Sequence, residues 1–141
     1  MIAHWPNGIS KTGTWNDQPV HLVDIMSTLT DIGDGVYPKK YNGKPSKPVE
    51  GISLRGTFQQ QNVERPITMG FSFNKGKALR DGKWKLVSYN NTPWELYDMS
   101  VDRTETRNRA SEMPEKVQSM EKQYKVWETR CGGARKKKRR K

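Results

Sequence analysis

The chain has 141 residues, the usual length of one domain, with only 32% hydrophobic residues and a formal net charge of +11. Its single cysteine, Cys131, excludes an internal disulfide and any zinc site that needs several cysteines. No apolar run approaches the ~20 residues that span a bilayer, and the first residues show no signal-peptide pattern. The low apolar content suggests that another segment supplies part of the core.

The positive charge is concentrated at the C-terminus. Residues 135–141 are all Lys or Arg, so the other 134 residues carry 19 basic and 15 acidic groups, a net charge of +4. We predict a disordered basic tail over residues 134–141. It could bind polyanions or act as a nuclear address, but a solvated run without a function is the favoured interpretation.

The N-terminal third predicts a strand, a helix and a loop. "MIAHWP" is typical of a strand that ends at the turn Pro6–Gly8. A helix is then expected to begin at Asn16 or Asp17, with Pro19 near its first position and Gly33 after its end. Its apolar residues have helical spacing: Leu22, Ile25, Met26, Leu29 and Ile32. Residues 34–48 indicate a surface loop, and "EGISLRGTF" a short helical turn.

The next segment predicts a small antiparallel sheet. "PITMGFSF" indicates a strand, and Asp81–Gly82 indicates a hairpin with a type I′ turn, in which both central residues have positive φ. After a turn at residues 90–93, another strand follows. Alternation places Trp84 with Leu86, and Trp94 with Leu96, on the buried face. We therefore expect a meander of three or four strands.

The C-terminal part predicts a helix that covers this sheet. "DRTE", residues 102–105, has the form of a capping box. A helix from Pro114 carries one apolar stripe and ends at Gly132–Gly133; the stripe consists of Val117, Met120, Tyr124, Trp127 and Cys131. The expected fold class is α+β: a small antiparallel sheet of three to four strands, packed by a C-terminal helix.

Composition and spacing alone reveal no active site. Cys131 lies at a predicted helix end, where the helix dipole opposes a thiolate, so a structural role is favoured. His21 and Asp24 have i, i+3 spacing, which is weak support for a metal site. Asp24 and Thr28, one helical turn apart, are expected to bond backbone groups or each other. We therefore assign no catalytic and no metal-binding residue.

The hairpin aromatics allow two interpretations. Trp84, Tyr89, Trp94 and Tyr97 lie near Lys83 and Lys85, as in a stacking platform for single-stranded nucleic acid. Core packing is favoured, because these aromatics recur at the period of a strand.

Several motifs, in order up to about Trp127, resemble the C-terminal part of type I sulfatases, the arylsulfatase family of the alkaline-phosphatase-like superfamily. They are "IAHWPNGIS", "HLVDIMSTLTDIG", "EGISL", "ALRDGKWKLV" and "ELYDMSVDRTETRN". Ser27 and Arg103 stand where the family usually has proline, and Phe73 lies near a family histidine. The matching residues, to which the resemblance gives structural roles, are Asp24, Thr28, Arg80, Gly82, Trp84, Lys85, Tyr97, Asp98, Asp102, Glu105 and Asn108.

The resemblance implies a sulfuric ester hydrolase whose large N-terminal half carries the formylglycine cysteine and binds calcium. Neither the cysteine motif nor the metal ligands are in this sequence, so the resemblance implies a C-terminal fragment that is inactive alone and unstable or aggregation-prone. Its partner would be the missing catalytic half, and its substrate a sulfate ester only in the full-length protein. Asn74, Lys75 and Lys77 would form a rim near the substrate.

The resemblance also implies a division of the chain. Residues 1–48 would be the strand-helix end of the catalytic α/β domain, residues 49–133 the C-terminal subdomain, and residues 134–141 the tail. Family members are periplasmic, secreted or lysosomal, although this sequence alone does not decide the compartment. We expect no membrane contact.

A rival hypothesis is a small basic module that binds a polyanion, either nucleic acid or a sulfated glycan, through the tail and the Lys/Trp hairpin. The two hypotheses differ in salt dependence, because tail binding should disappear with the tail and fall steeply with salt. Under the sulfatase hypothesis, nucleic acid would bind only non-specifically, at the tail.

Overall fold

A computed structural model describes residues 1–132 and shows an α+β protein. The chain divides into two compact units, Met1–Arg65 and a second that begins at Pro66. The tail predicted over residues 134–141 lies outside the described residues. The fold class and the antiparallel meander with its C-terminal helix are confirmed.

The first unit contains two helices and one short hairpin. Helix α1 spans Asp24–Ile32, strands β1 and β2 span Lys40–Tyr41 and Lys44–Pro45, and helix α2 spans Arg55–Phe58. The predicted turn of helix is thus α2. The hairpin lies in the segment predicted as a loop. Its two turn residues, Asn42 and Gly43, have φ of 48° and 73°, as a type I′ turn requires.

The predicted N-terminal strand is wrong. Residues 1–5 form no strand, and the chain turns instead at Trp5, whose carbonyl accepts hydrogen bonds from Gly8 N and Ile9 N, each 3.0 Å long. A strand exists only through its ladder with a neighbour, and no described residues pair with this segment. The Trp5 ring packs against Gly8 and stands edge-on to Phe58, 6.2 Å away.

The predicted start of α1 is also wrong, because the helix begins at Asp24 rather than near Asn16. Asn16 caps a local turn through a 2.9 Å bond from Gln18 N, and Gln18 Oε1 accepts a 3.1 Å bond from Val63 N. These bonds compete with a helix, as side chains of this type commonly do at turns. Pro19 therefore lies outside the helix.

The second unit is a four-stranded antiparallel sheet covered by one helix. Strands β3 to β6 span Met69–Phe73, Gly76–Asp81, Trp84–Tyr89 and Glu95–Asp98, and they pair in that order. Helix α3 spans Pro114–Arg130. The core consists of Leu79, Leu86, Leu96, Met120 and Tyr124, and the surrounding apolar residues include Trp84, Trp94, Val117 and Trp127.

Two local predictions in this unit need correction. Asp81 pairs with Trp84, so the hairpin loop is Gly82–Lys83, one residue later than predicted. Of these two loop residues only Gly82 has a positive φ, 54°, as in a type II′ rather than a type I′ turn.

The capping-box prediction at residues 102–105 is also wrong, because no helix follows it. The Asp102 carboxylate caps a loop instead, accepting bonds from Thr106 N at 3.0 Å and Arg107 N at 2.9 Å. Glu105, the proposed partner, has a φ of 59° and cannot continue a helix. Cys131, predicted on the buried stripe, is exposed just after the end of α3.

Candidate functional site

The first group of family-pattern residues is centred on Asp24 in the first unit. Asp24 is fully buried at the start of α1. Its carboxylate accepts hydrogen bonds from His21 N at 2.7 Å and Ile52 N at 3.1 Å, and it forms an ion pair with Arg65. Burial raises the pKa of Asp24, but these hydrogen bonds and the Arg65 charge outweigh it, so the pKa lies below its ordinary value.

Thr28 lies one turn further along the same buried face. Its hydroxyl donates to the Asp24 carbonyl at 2.7 Å and accepts from Leu54 N at 3.0 Å. Ser27 donates to the Gly51 carbonyl at 2.8 Å. A Cβ at Gly51 would lie 2.2 Å from the Val23 carbonyl oxygen, so only glycine permits this approach. The polar face of α1 therefore holds residues 51–54 in place.

A second group lies on the sheet face opposite α3. Arg80, Lys85 and Tyr97 are directly paired across three strands and so share one face. The Lys85 ammonium lies 2.5 Å from Glu105, and Tyr97 donates to Glu95 at 2.9 Å. Burial and Glu95 raise the pKa of Tyr97 to about 12. Burial, with a contribution from nearby Arg103, lowers the pKa of Arg80.

The remaining family-pattern residues fix the loops around the sheet. Asp98 accepts bonds from Lys83 at 2.8 Å and from Ser100, which lower its pKa to about 2. Lys83 also lies 4.9 Å from the centre of the Trp84 ring. Asn108 accepts from Leu96 N at 3.1 Å, so the 108–110 segment covers the outer edge of β6. These residues make bonds that hold turns and edges, and they do not converge on one cleft.

The three residues proposed for a substrate rim lie together at one end of the sheet. Asn74 and Lys75 form the β3–β4 turn, with a φ of 54° at Asn74, and the Lys75 carbonyl accepts a 2.8 Å bond from Asn90 N. Lys77 donates to the Asn91 side chain at 3.2 Å. We call residues 73–77 and 89–91 the turn surface.

Sequence reasoning missed part of this surface. Phe73 is 87% exposed and Tyr89 is 61% exposed, although strand alternation suggested buried aromatics. The strand register could have identified them. Tyr89 is three residues from the core residue Leu86 in β5, and Phe73 pairs with Gly76, which is three residues from the core residue Leu79 in β4. Because side chains alternate along a strand, both aromatic side chains point away from the core.

The first unit carries an exposed apolar face and a groove. Leu22, just before α1, is 78% exposed, and Met26 and Leu29 on α1 are 56% and 62% exposed, whereas the polar Asp24 and Thr28 are buried. A groove of about 810 Å³ also lies in this unit, and its apolar lining includes Ile2, Trp5, Ile9, Trp15, Leu54 and Phe58. The face that the periodicity predicted as core is thus largely exposed in this unit.

The described part of the chain does not fit a metal ion. Among residues 1–132, no group of three or more His, Cys, Asp and Glu side chains is placed to bind one. The described residues therefore do not provide a fitting ligand set for the calcium that the family resemblance implies. No helix among these residues is both long enough and apolar enough to cross a membrane.

Solved structures share this fold. The crystal structure of Ps i-CgsB matches with a TM-score of 0.73 and 19% identity, over 88% of this chain and 27% of that one. A Bacteroides thetaiotaomicron protein, BT33336S-sulf, matches with a TM-score of 0.56 and 19% identity, over 75% of this chain and 24% of its own. This chain therefore shares its α+β fold with a part of each of these larger proteins.

The sequence comparison identifies the family segment. Arylsulfatase K of Xenopus laevis is 30% identical over 112 residues, which are 73% of this chain and 21% of the relative. Human arylsulfatase K is 27% identical over 79% of the chain, and an uncharacterized sulfatase of Schizosaccharomyces pombe is 25% identical over 83%; each match covers 22% of the relative. No model of a protein family matches.

The chain corresponds to the C-terminal part of an arylsulfatase-type sulfatase, as the motifs predicted. It spans about a fifth of the length of the curated relatives it matches.

Proposed function

We propose that this chain is the C-terminal supporting part of a sulfuric ester hydrolase, and that an N-terminal catalytic part performs the chemistry. The observation that carries the proposal is the match of 73% of the chain to a fifth of an arylsulfatase. Asp24, Thr28 and Asn108 each accept a hydrogen bond from a backbone N–H of another segment: Ile52, Leu54 and Leu96, respectively. These bonds hold the backbone in place. They support a structural role for the family pattern in this part.

The exposed face of α1 is the surface that we assign to the catalytic part. A surface helix normally buries its apolar stripe, but here the polar side of α1 is buried within the unit and the apolar side is exposed. Covering apolar surface stabilises by roughly 25 cal/mol per Å². The groove lined by Trp5, Trp15 and Phe58 offers further apolar surface in the same unit.

The turn surface is our proposed substrate rim. Asn74, Lys75 and Lys77 place two ammonium groups and an amide at one end of the sheet. Lysine is a suitable partner for an anionic ester group, because its charge and three donors adapt to different oxygen positions. In the complete protein these residues would contact the anionic substrate beside the catalytic part.

From the family resemblance we also propose that the complete protein acts in the periplasm, in the lysosome or after secretion. Calcium would belong to the catalytic part.

The proposal is tested by isolating the natural protein that contains this sequence, which we call the complete natural product. An antibody against residues 114–130 should precipitate a protein several times larger than this chain, and the precipitate should hydrolyse an aryl sulfate. The purified 141-residue chain should show no turnover with aryl sulfate and calcium above a heat-treated control. A product of only 141 residues that binds polyanions would instead support the rival binding module, and turnover by the purified chain would refute a purely supporting role.

A further inference from the structure

Two exposed aromatic side chains lie in one row across the sheet. Phe73 pairs with Gly76, and Gly76 pairs with Tyr89, so all three residues point to the same face. Gly76 is three residues from the core residue Leu79, and side chains alternate along a strand. The row therefore lies on the face opposite α3, away from the core of this unit.

The row forms a shallow aromatic surface with a glycine at its centre. Strand spacing places the Phe73 and Tyr89 backbones roughly 9–10 Å apart. A Cβ at Gly76 would lie 3.9 Å from the Tyr89 ring, so the glycine leaves open space beside that ring. Aromatic side chains this exposed lose the stabilisation that burial would give, and exposed apolar patches often mark binding surfaces.

Polar and cationic groups border the aromatic row. Asn74, Asn90 and Asn91 have φ of 54°, 53° and 60°, a backbone region that asparagine tolerates better than most residues. Lys75 lies in the same turn as Asn74. Lys77 has the parity of Leu79 and so belongs to the other face of the sheet, with its ammonium 3.2 Å from the Asn91 side chain. Lys75 is the cation of the β3–β4 turn beside the row. Asp81 lies at the opposite end of β4, and Glu95 in β6, on the same face as the row, lies across from Val87. Lys75 therefore gives the turn end of the row a positive charge that suits an anionic ligand.

We propose that Phe73 and Tyr89 form a stacking platform for a sugar ring of a sulfated saccharide, and that Lys75 contacts its sulfate group. A sugar ring has an apolar face that can pack on an aromatic ring, and its hydroxyls match the surrounding amides. The proposal rests on the proposed sulfate-ester function, which favours a saccharide over the single-stranded nucleic acid that an aromatic and basic surface could also bind.

Calorimetric titration of the full 141-residue chain tests the platform. The ligands are a sulfated hexasaccharide from heparin, the same hexasaccharide after desulfation, and a single-stranded oligonucleotide of similar charge. Titration at about 0.5 M salt suppresses the electrostatic contribution of the basic tail. We expect the sulfated hexasaccharide to bind most tightly.

Three variants separate the contributions. The double variant Phe73→Ala/Tyr89→Ala should weaken binding of the sulfated hexasaccharide about tenfold or more, because both stacking contacts are lost. Lys75→Ala should reduce the preference for the sulfated over the desulfated ligand. Tyr41→Ala removes an equally exposed aromatic from the first unit and should leave binding unchanged. All four substituted positions are exposed, so circular dichroism melting curves should remain close to that of the unmodified chain.

The proposal is overturned if the unmodified chain binds no hexasaccharide, if the double variant binds as well as the unmodified chain, or if Tyr41→Ala causes an equal loss. Tighter binding of the oligonucleotide, lost in the double variant, would reassign the platform to nucleic acid. Hydrolysis of a small aryl sulfate by the complete natural product reports separately on the proposed function. Saccharide binding by the chain without that hydrolysis would refute only the proposed function, and the reverse result only the platform.

Discussion

The Asp24 carboxylate shows which contacts of a single residue can be predicted from sequence. Its spacing from Thr28 correctly indicated bonds to backbone groups or between the two residues, because both lie on one helix face. Its ion pair with Arg65 joins residues 41 positions apart and could not be predicted. Long-range pairing of side chains depends on the tertiary fold, and local periodicity contains no information about it.

At the residue scale, we predict that Asp24→Asn destabilises the chain by about 3 kcal/mol at pH 7, because it leaves the partly buried Arg65 charge without its partner. The folded-state pKa of Asp24 is lowered, so its carboxylate stabilises the fold above the unfolded-state pKa of about 4. That stabilisation is lost as the pH falls through the lowered pKa. The difference between variant and unmodified chain should therefore narrow below pH 4.

Urea unfolding between pH 3 and pH 7 measures this difference. Asp34→Asn is the matched control, since its side chain is 91% exposed and its contact with Arg55 is 3.7 Å long. We expect the control to change the unfolding free energy by less than about 0.5 kcal/mol. A constant difference for Asp24→Asn across this pH range would contradict the assigned ionisation.

At the scale of elements, the sheet, α2 and α3 were predicted from the sequence, whereas the predicted N-terminal strand and the predicted start of α1 were wrong. The core of the second unit is formed entirely by residues of that unit. The row Leu79–Leu86–Leu96, from β4, β5 and β6, packs directly on Met120 and Tyr124 of α3. The start of α1 instead depends on hydrogen bonds that the Asn16 and Gln18 side chains accept from the backbone N–H groups of Gln18 and Val63. The β4–β5 turn lies one residue later than predicted and therefore has a different turn type. Strand periodicity alone does not determine the register of the two strands to one residue.

The packing of α3 on β3 depends on one glycine. A Cβ added at Gly70 would lie 2.1 Å from the ring of Trp127, so the ring occupies the space of a side chain at that position. Gly70→Ala must displace Trp127, which also contacts the Tyr124 ring at 5.6 Å. We expect a loss of about 1–3 kcal/mol in unfolding free energy, the usual cost of overpacking, measured by urea unfolding with tryptophan fluorescence.

The control for this substitution is Gly76→Ala in the neighbouring strand. There an added Cβ would meet no atom closer than 3.4 Å, so the free energy should change by less than about 0.5 kcal/mol. Equal losses in the two variants would show that the effect comes from strand glycines in general and not from the Trp127 contact.

At the scale of the whole molecule, the chain has few hydrophobic residues, and part of them lies on exposed surfaces and not in a core. Only 32% of the residues are hydrophobic, and several of these lie on the outer face of α1 or in the groove of the first unit. The periodicity of α1 correctly predicted an apolar face. It could not predict that this face is exposed, because the sequence of a helix does not state which surface covers it.

We therefore predict that the purified chain self-associates through the apolar face of α1. Met26→Glu/Leu29→Glu should reduce association, because it places two charges in the exposed stripe, while the unfolding free energy changes by less than about 0.5 kcal/mol per site. Sedimentation velocity over a range of concentrations measures the first quantity, and urea unfolding the second. In the complete natural product the same substitutions should lower the yield of folded protein, since the charges would be buried against the catalytic part.

Val101→Glu provides the matched control, because Val101 is also exposed and apolar but lies in the second unit. It should leave both self-association and the yield of the complete protein unchanged. If the unmodified chain remains monomeric at high concentration, or if the Met26/Leu29 variant leaves the complete protein folded and active, the face of α1 is an ordinary solvent-exposed surface. In that case its polar contacts to residues 51–54 and to Arg65 would be sufficient to fix the helix, and another surface of the chain would have to bind the catalytic part.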